Sequence, residues 1–213
     1  MAATRDVLRA HGFVDGGFVR RVAKDNGAQL VDPRNLLLAI ITHGDVNDAG
    51  EIRIALRRVT YYDARPDEAV DVPQGMADYW SAIELLPDAQ LGFGSLRGGG
   101  KARQKPRQKG VDTLIAVDML VGAVSDLFDV AVLVAGDADF VPVVDEVRRR
   151  GVQVIVAAHP ASLSEDLKRA ADRFLAIGPG YAHGLFPPLT KDGRTWSAAD
   201  VERAPVGANT GSR

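Results

Sequence analysis

Residues 130–140 read VAVLVAGDADF, an apolar run that stops at a glycine and is followed by two aspartates, Asp137 and Asp139. A run of this length that is apolar throughout is typical of a parallel strand covered on both faces. In open parallel sheets, ligands bind beyond the carboxyl ends of the strands. The stretch therefore predicts a buried strand that brings two carboxylates to the edge of the sheet where chemistry is expected.

Short apolar runs and helical patterns alternate along the rest of the chain. Besides the run that ends in GFVDGG, strands are predicted at 52–62, 90–96, 152–158 and 174–177. The segment 90–96 is expected at an edge of the sheet. Helices are predicted at 35–42, 76–86, 111–128, 140–150 and 164–173. This alternation predicts an α/β fold, a three-layer α/β/α sandwich with a mainly parallel sheet.

Length and composition fit one globular domain. The chain has 213 residues, of which 46% are hydrophobic and 25% charged, enough for a full α/β core. We expect the domain to span 1–178, followed by a flexible C-terminal tail at 179–213 with Trp196 as its only obvious anchor.

The residue types exclude cysteine-based sites and bear on where the protein is located. There is no cysteine, so a disulfide framework, a thiolate metal site and a catalytic cysteine are excluded. No apolar run approaches the roughly 20 residues of a membrane span, and the N-terminus lacks the apolar region of a secretory signal. A cytoplasmic protein without a membrane partner is expected.

Aspartates recur where the predicted strands end. Asp15 follows the first strand and Asp63 the second, while Asp112 begins the long helix that also carries Asp118. Carboxylates that gather within a few ångströms repel one another unless a proton or a hard divalent cation lies among them. Together with the pair after the 130–135 run, these aspartates predict a magnesium site without histidine or cysteine.

Four of these aspartates also have a simpler interpretation. Asp139, just before a helix, fits an N-cap, and Asp15, before two glycines, fits a turn. Asp63 and Asp118 fit surface or supporting groups. Because Asp118 lies about 120° from Asp112 around an ideal helix, both side chains do not easily reach one metal.

A basic, glycine-rich segment interrupts an otherwise balanced chain of net charge −2. The segment 97–109, RGGGKARQKPRQK, contains no acidic residue. Its cations are Arg97, Lys101, Arg103, Lys105, Arg107 and Lys109. Such a loop is suited to a phosphate-bearing partner or is simply a solvated surface.

Five segments together resemble the bacterial NYN-domain family of the PIN-like nuclease superfamily. They are FVDGGF, YYDARP, LGFGSLR leading to QKGVDTLIAVDML, VLVAGDADFVPVVDEVRRRGVQVIV, and SEDLKRAADRFLAI. The resemblance covers about residues 7–178 in the family's order, and QKGVD and GDADF are its more specific parts.

The resemblance implies a PIN-like fold with a metal-dependent acidic pocket and endoribonuclease activity. The resemblance places the family's acidic positions on Asp15, Asp112, Asp137 and Asp139. It also gives Asp118 and Lys109 matching roles. Phe18 departs from the polar residue that many relatives have, and this phenylalanine is predicted either to weaken catalysis or to stack on a base.

The predicted activity is hydrolysis of RNA phosphodiester bonds by water that Mg²⁺ or Mn²⁺ activates. Asp15 and Asp137 are the expected main ligands, Asp112 and Asp139 complete the acidic pocket, and the basic segment holds the RNA backbone. Two alternatives stay open: an RNA- or protein-binding module with little cleavage, and a small-molecule phosphoesterase. The pattern does not separate RNA from DNA, or a monomer from a homodimer.

Overall fold

A computed structural model describes residues 7–43, 53–66, 72–97, 107–180 and 186–202. Its strands form one sheet in the order β4-β3-β2-β1-β5-β6-β7. Their bounds are β1 Val7–Asp15, β2 Arg53–Pro66, β3 Ala89–Arg97, β4 Arg107–Lys109, β5 Val130–Val134, β6 Gln153–Ala158 and β7 Arg173–Ala176. All neighbouring pairs are parallel except β3 with β4, which is antiparallel.

Helices cover both faces of this sheet. Their bounds are α1 Gly16–Asp25, α2 Pro33–His43, α3 Gln74–Glu84, α4 Val111–Val124, α5 Val141–Arg149, α6 Glu165–Ala170 and α7 Ala198–Glu202. Within the described ranges, none of them is long and apolar enough to cross a membrane.

Two hydrophobic cores lie on the two faces of the sheet. Helices α1, α2, α3 and α7 bury one face, whose core includes Tyr79, and α4, α5 and α6 bury the other, whose core includes Ile115. Alternate strand residues serve the two cores, so Val132 of β5 joins the first and Leu133 the second. The predicted three-layer sandwich with a mainly parallel sheet is confirmed.

Three elements differ from the sequence prediction. Strand β3 is not an edge strand, because β4 pairs with it and occupies the edge. Strand β2 continues to Pro66, so Asp63 lies within the strand and not after it. Helix α4 ends at Val124, where the backbone turns through Asp126, whose φ is 51°.

Residues 186–202 are folded onto the domain, in contrast to the flexible tail expected from their polar composition. The backbone N–H of Leu30 donates to the carbonyl of Trp196 at 2.6 Å. The indole of Trp196 is 2% exposed and packs against the ring of Tyr79. Val201 of α7 is also buried in the same core. A few widely spaced apolar residues therefore hold a mostly polar segment in place.

Candidate active site

Strand β1 lies where the strand order reverses. The sheet extends from β1 through β2 and β3 on one side and through β5, β6 and β7 on the other. Strands β1 and β5 pair with Val14 opposite Val134, so they end at the same edge. In an open parallel sheet, ligands bind in the crevice at such a switch point.

A cavity of about 400 Å³ occupies this position. We call it the switch-point cavity. Its lining residues are Asp15, Phe18, Arg21, Asp112, Gly136, Asp137, Ala138, Ser162 and Ser164. Three of the four predicted acidic residues therefore share one cavity, although they belong to β1, to the N-terminus of α4 and to the turn after β5.

Asp15 is held in place as the N-cap of α1. Its carboxylate accepts a hydrogen bond from the backbone N–H of Phe18 at 3.1 Å. Burial raises its pKa to about 6, and the nearby Asp112 carboxylate acts in the same direction against this hydrogen bond. Helix α1 itself was not predicted, because two glycines directly after the cap favoured a turn.

Asp112 lies in the first turn of α4, two residues after Gly110, the N-cap residue with left-handed backbone. Its pKa is raised first by burial and then by the carboxylates of Asp137 and Asp139. Asp139 does not line the cavity, yet its charge reaches Asp112. The charges of Asp137 and Asp139 therefore act on Asp112, and the charge of Asp112 acts on Asp15.

Asp137 and Asp139 lie in the short turn that joins β5 to α5. The Asp137 carboxylate accepts the backbone N–H of Asp139 at 3.1 Å and so caps the 3-10 turn Ala138–Phe140. The cap expected at Asp139 is therefore at Asp137. Both side chains are exposed.

Asp63, the candidate in β2, lies outside the cavity. It is 1% exposed and forms a bidentate ion pair with Arg20, with Nη2 at 2.9 Å from Oδ1. Trp80 Nε1 donates to Oδ2 at 2.9 Å, and the backbone N–H of Ala64 donates to Oδ1 at 2.7 Å. Its carboxylate is therefore occupied by structural partners.

Asp118, the second aspartate of α4, also lies outside the switch-point cavity. Its carboxylate accepts the Tyr62 hydroxyl at 2.9 Å. It lines a separate cavity of about 160 Å³ beside the second half of α4. Asp112 and Asp118 thus face different cavities.

Phe18 lines the switch-point cavity but has no free face for a nucleotide base. Its side chain is 2% exposed and belongs to the core beneath α1. An added Cβ at Gly136 would lie 2.8 Å from Phe18 Cε2, so the ring abuts the end of β5. The prediction that Phe18 stacks on a base is wrong, because the apolar face of α1 buries the ring.

The basic segment is described only in part. Lys101, Arg103 and Lys105 lie outside the described residues. Arg97 and Arg107 are register partners in the β3–β4 pair, and Lys109 pairs with Ser95. Only the backbone of these three cations is described, and it places them on the hairpin that leads into Asp112.

Several lining residues were not predicted. Ser162 and Ser164 follow β6, the strand next to the switch point, and the strand-end rule that identified the aspartates would have found them. Arg21 lies inside α1, and nothing in the sequence distinguishes it from its neighbour Arg20.

The cavity offers carboxylate oxygens, the donors that hard cations prefer. Within the described residues, no group of three or more acidic or histidine side chains is arranged to hold a metal ion directly. Magnesium keeps several of its waters and needs only one or two protein carboxylates. The donor set at Asp15 and Asp137 therefore fits a hydrated Mg²⁺ or Mn²⁺ ion.

Comparisons with known proteins point to one family. The model of the NYN domain matches residues 13–178. A protein of unknown function, VPA0982 from Vibrio parahaemolyticus RIMD 2210633, has a similar fold, with a TM-score of 0.56 and 20% identity over 83% of this chain and 96% of its own.

A candidate UDP-N-acetylglucosamine 2-epimerase from Listeria monocytogenes gives a TM-score of 0.42 at 7% identity, over 79% of this chain and 38% of its own. No curated protein matches the chain. Because the NYN model covers most of the chain, including the strands and turns that form the switch-point cavity, the chain belongs to the NYN domain family, whose fold is nuclease-like.

Proposed function

We propose that this protein is a metal-dependent endoribonuclease that hydrolyses RNA phosphodiester bonds in the switch-point cavity. The observation that supports this most is the gathering of Asp15, Asp112 and Asp137 from separate elements around one cavity. The pKa values of Asp15 and Asp112 are raised in part by neighbouring carboxylates. A site that holds repelling carboxylates together is suited to a divalent cation.

The four aspartates would have different roles in this reaction. Asp15 and Asp137 would hold the cation, Asp15 fixed by its capping hydrogen bond and Asp137 by its turn. When bound, Mg²⁺ or Mn²⁺ would polarise the attacking water and offset the charge that develops on the phosphate. Asp112 lines the cavity and has a raised pKa, so it would accept the proton of that water as general base. Asp139 would sustain this pKa through its charge.

The RNA backbone would be held by the cations of the segment 97–109, which leads directly into Asp112. Contacts of this kind neutralise phosphates and release counterions, so binding should weaken steeply as salt rises. They do not specify base sequence. In this proposal the protein acts on RNA in the cytoplasm, either as a monomer or as a homodimer.

One observation favours a second candidate, an RNA-binding module with little cleavage. Phe18 is a buried apolar residue at the cavity wall, and it supplies no polar group to orient water. A small-molecule phosphoesterase would use the same carboxylates, and it differs from the nuclease in cleaving small phosphate esters.

The test is cleavage of a labelled, structured RNA pool by purified protein with Mn²⁺, Mg²⁺ or EDTA. Wild type should cleave only with metal, and Asp137→Asn should lower the rate at least about 100-fold. Asp118→Asn is the matched control, since Asp118 lies outside the cavity, and it should retain activity.

Intact RNA with wild type in every metal, together with salt-sensitive RNA binding, would establish the binding module instead. Cleavage of p-nitrophenyl phosphate esters without cleavage of RNA would establish the phosphoesterase.

A further inference from the structure

We propose that Arg21, Ser162 and Ser164 form a phosphate-binding wall of the switch-point cavity, which holds the non-bridging oxygens of an RNA phosphodiester. This inference rests on the proposed function, because it assigns the substrate contacts of the same cavity. All three residues line the cavity, and none of them is a carboxylate.

Two consecutive arginines of α1 have different environments. Arg20 is turned into the protein, where it pairs with the buried Asp63. Arg21 is exposed at the cavity and, among the described residues, forms neither a hydrogen bond nor an ion pair. A guanidinium that lines the same cavity as the carboxylates but does not pair with them keeps its planar set of donors for another anion. Phosphate is the anion that this geometry binds in a bidentate manner.

Arg21 and Asp112 approach the cavity from opposite layers of the sandwich. Helix α1 belongs to the layer that buries Tyr79, and α4 to the layer that buries Ile115. Asp15 and Asp137 lie between them at the ends of the adjacent strands β1 and β5. A phosphodiester in the cavity would therefore meet the acidic, cation-holding group on one side and the guanidinium on the other.

The two serines are held against the end of β5 by a close approach of backbones. The N–H of Ser164 donates to the carbonyl of Gly136 at 2.8 Å. An added Cβ at Gly136 would lie only 2.0 Å from the carbonyl oxygen of Ser162, so a larger residue would displace this loop. The close packing fixes the position of both serines relative to Asp137.

Both serines can supply hydroxyl donors. Ser164 Oγ accepts the N–H of Asp166 at 3.2 Å, which leaves its own proton free to donate to a phosphate oxygen. Ser162 and Ser164 are both half-buried. A guanidinium and two hydroxyls on one wall would bind phosphate oxygens and make no contact with the bases. This wall should therefore position RNA of any sequence.

The test measures binding and cleavage separately. In an Asp137→Asn background with Mg²⁺, fluorescence anisotropy would measure binding of a labelled single-stranded RNA of mixed sequence. Adding Arg21→Ala should weaken binding about tenfold and lower the slope of log affinity against log salt by about one. Arg21→Lys should recover the slope but not the full affinity, because lysine lacks the bidentate donors.

Arg149→Ala is the matched control, since Arg149 is an exposed arginine of α5 that pairs with Glu146 and lies outside the cavity. It should leave affinity unchanged. The Ser162→Ala and Ser164→Ala double variant, checked for unaltered circular dichroism, should weaken binding to a smaller extent than Arg21→Ala.

Two failures can be told apart. If the Asp137 carboxylate proves essential for metal-dependent cleavage but Arg21→Ala cleaves with unchanged kcat and KM, the nuclease stands and the phosphate-binding wall is refuted. If wild type never cleaves RNA but Arg21→Ala still weakens binding as stated, the wall stands and the nuclease is refuted. Equal affinities of Arg21→Ala and Arg149→Ala, or no RNA binding at all, would overturn the inference.

Discussion

At the scale of single residues, Asp15 and Asp63 end up in different places although both were predicted to follow a strand. In the β1–β2 pair, Asp15 lies opposite Tyr62, so Asp63 is one residue further along. Side chains alternate between the faces of a strand, and Asp63 points to the same face as Tyr61, toward α1 and α3. Because Asp63 lies one residue beyond the position opposite Asp15, it is a buried partner of Arg20 and not a candidate metal ligand.

Asp63→Asn should destabilise the protein by about 3 kcal/mol or more, because it leaves the guanidinium of Arg20 buried without its counter-charge. Urea unfolding at pH 7 measures this free energy. Asp118→Asn, which alters one hydrogen bond from Tyr62, should cost no more than about 1.5 kcal/mol. Equal losses in the two variants would contradict the structural role given to Asp63.

Sequence patterns identified some cavity residues and not others for a physical reason. Asp15 and Asp137 were predictable because the end of a parallel strand fixes where a residue lies. Arg21 was not, because the rotation of α1 about its axis decides which of two adjacent arginines faces the cavity. That rotation depends on the burial of residues such as Phe18, which is itself a tertiary property.

At the scale of elements, the core strands and helices follow their apolar patterns, while the edge and the C-terminal segment do not. Strand β4 is a three-residue strand of polar residues, and only its pairing with β3 defines it. Helix α7 has five residues and depends on packing against α3 and α1. Local patterns cannot predict elements that are stabilised mainly by tertiary contacts.

Gly75→Ala should loosen the C-terminal segment 186–202. An added Cβ at Gly75 would lie 2.0 Å from the carbonyl oxygen of Asp200, so α7 would have to move away from α3. We expect a loss of about 1–3 kcal/mol in unfolding free energy and faster proteolytic cleavage within 186–202. Ser81→Ala, a change at an exposed position of the same helix, is the control. Unchanged proteolysis in Gly75→Ala would show that α7 does not need this close contact.

At the scale of the whole molecule, the topology of the sheet creates the cavity. The order β3-β2-β1-β5-β6 places the ends of β1 and β5 side by side, although more than 100 residues separate Asp15 from Asp137. The family resemblance and the strand-end rule both lead to this crevice. Because like charges that gather at one site are stabilised by protons or by a cation, we expect the stability of the protein to depend on pH and on added divalent cation.

Asp15 should make the metal-free protein less stable as pH rises. Its pKa is about 6 in the folded chain against an ordinary 3.8, so the folded state holds this proton more tightly than the unfolded state. The stabilisation is complete below about pH 4 and is lost as pH rises through 6. In EDTA, wild type should therefore lose about 2–3 kcal/mol more than Asp15→Asn between pH 4 and pH 7. Asparagine also caps helices and does not titrate, so the comparison isolates the charge.

A bound cation should reverse this loss. At pH 7.5, Mg²⁺ at ten times its dissociation constant should stabilise wild type by about 1.4 kcal/mol in urea unfolding, because the ion binds the folded state alone. Asp15→Asn should gain little, since it lacks one of the two carboxylates expected to hold the ion. If the unfolding free energies of the two proteins depended on pH identically in EDTA, the pKa of Asp15 would not be raised in the folded protein. If Mg²⁺ stabilised wild type and Asp15→Asn equally, the cation would bind away from Asp15, and the two carboxylates would not hold it together.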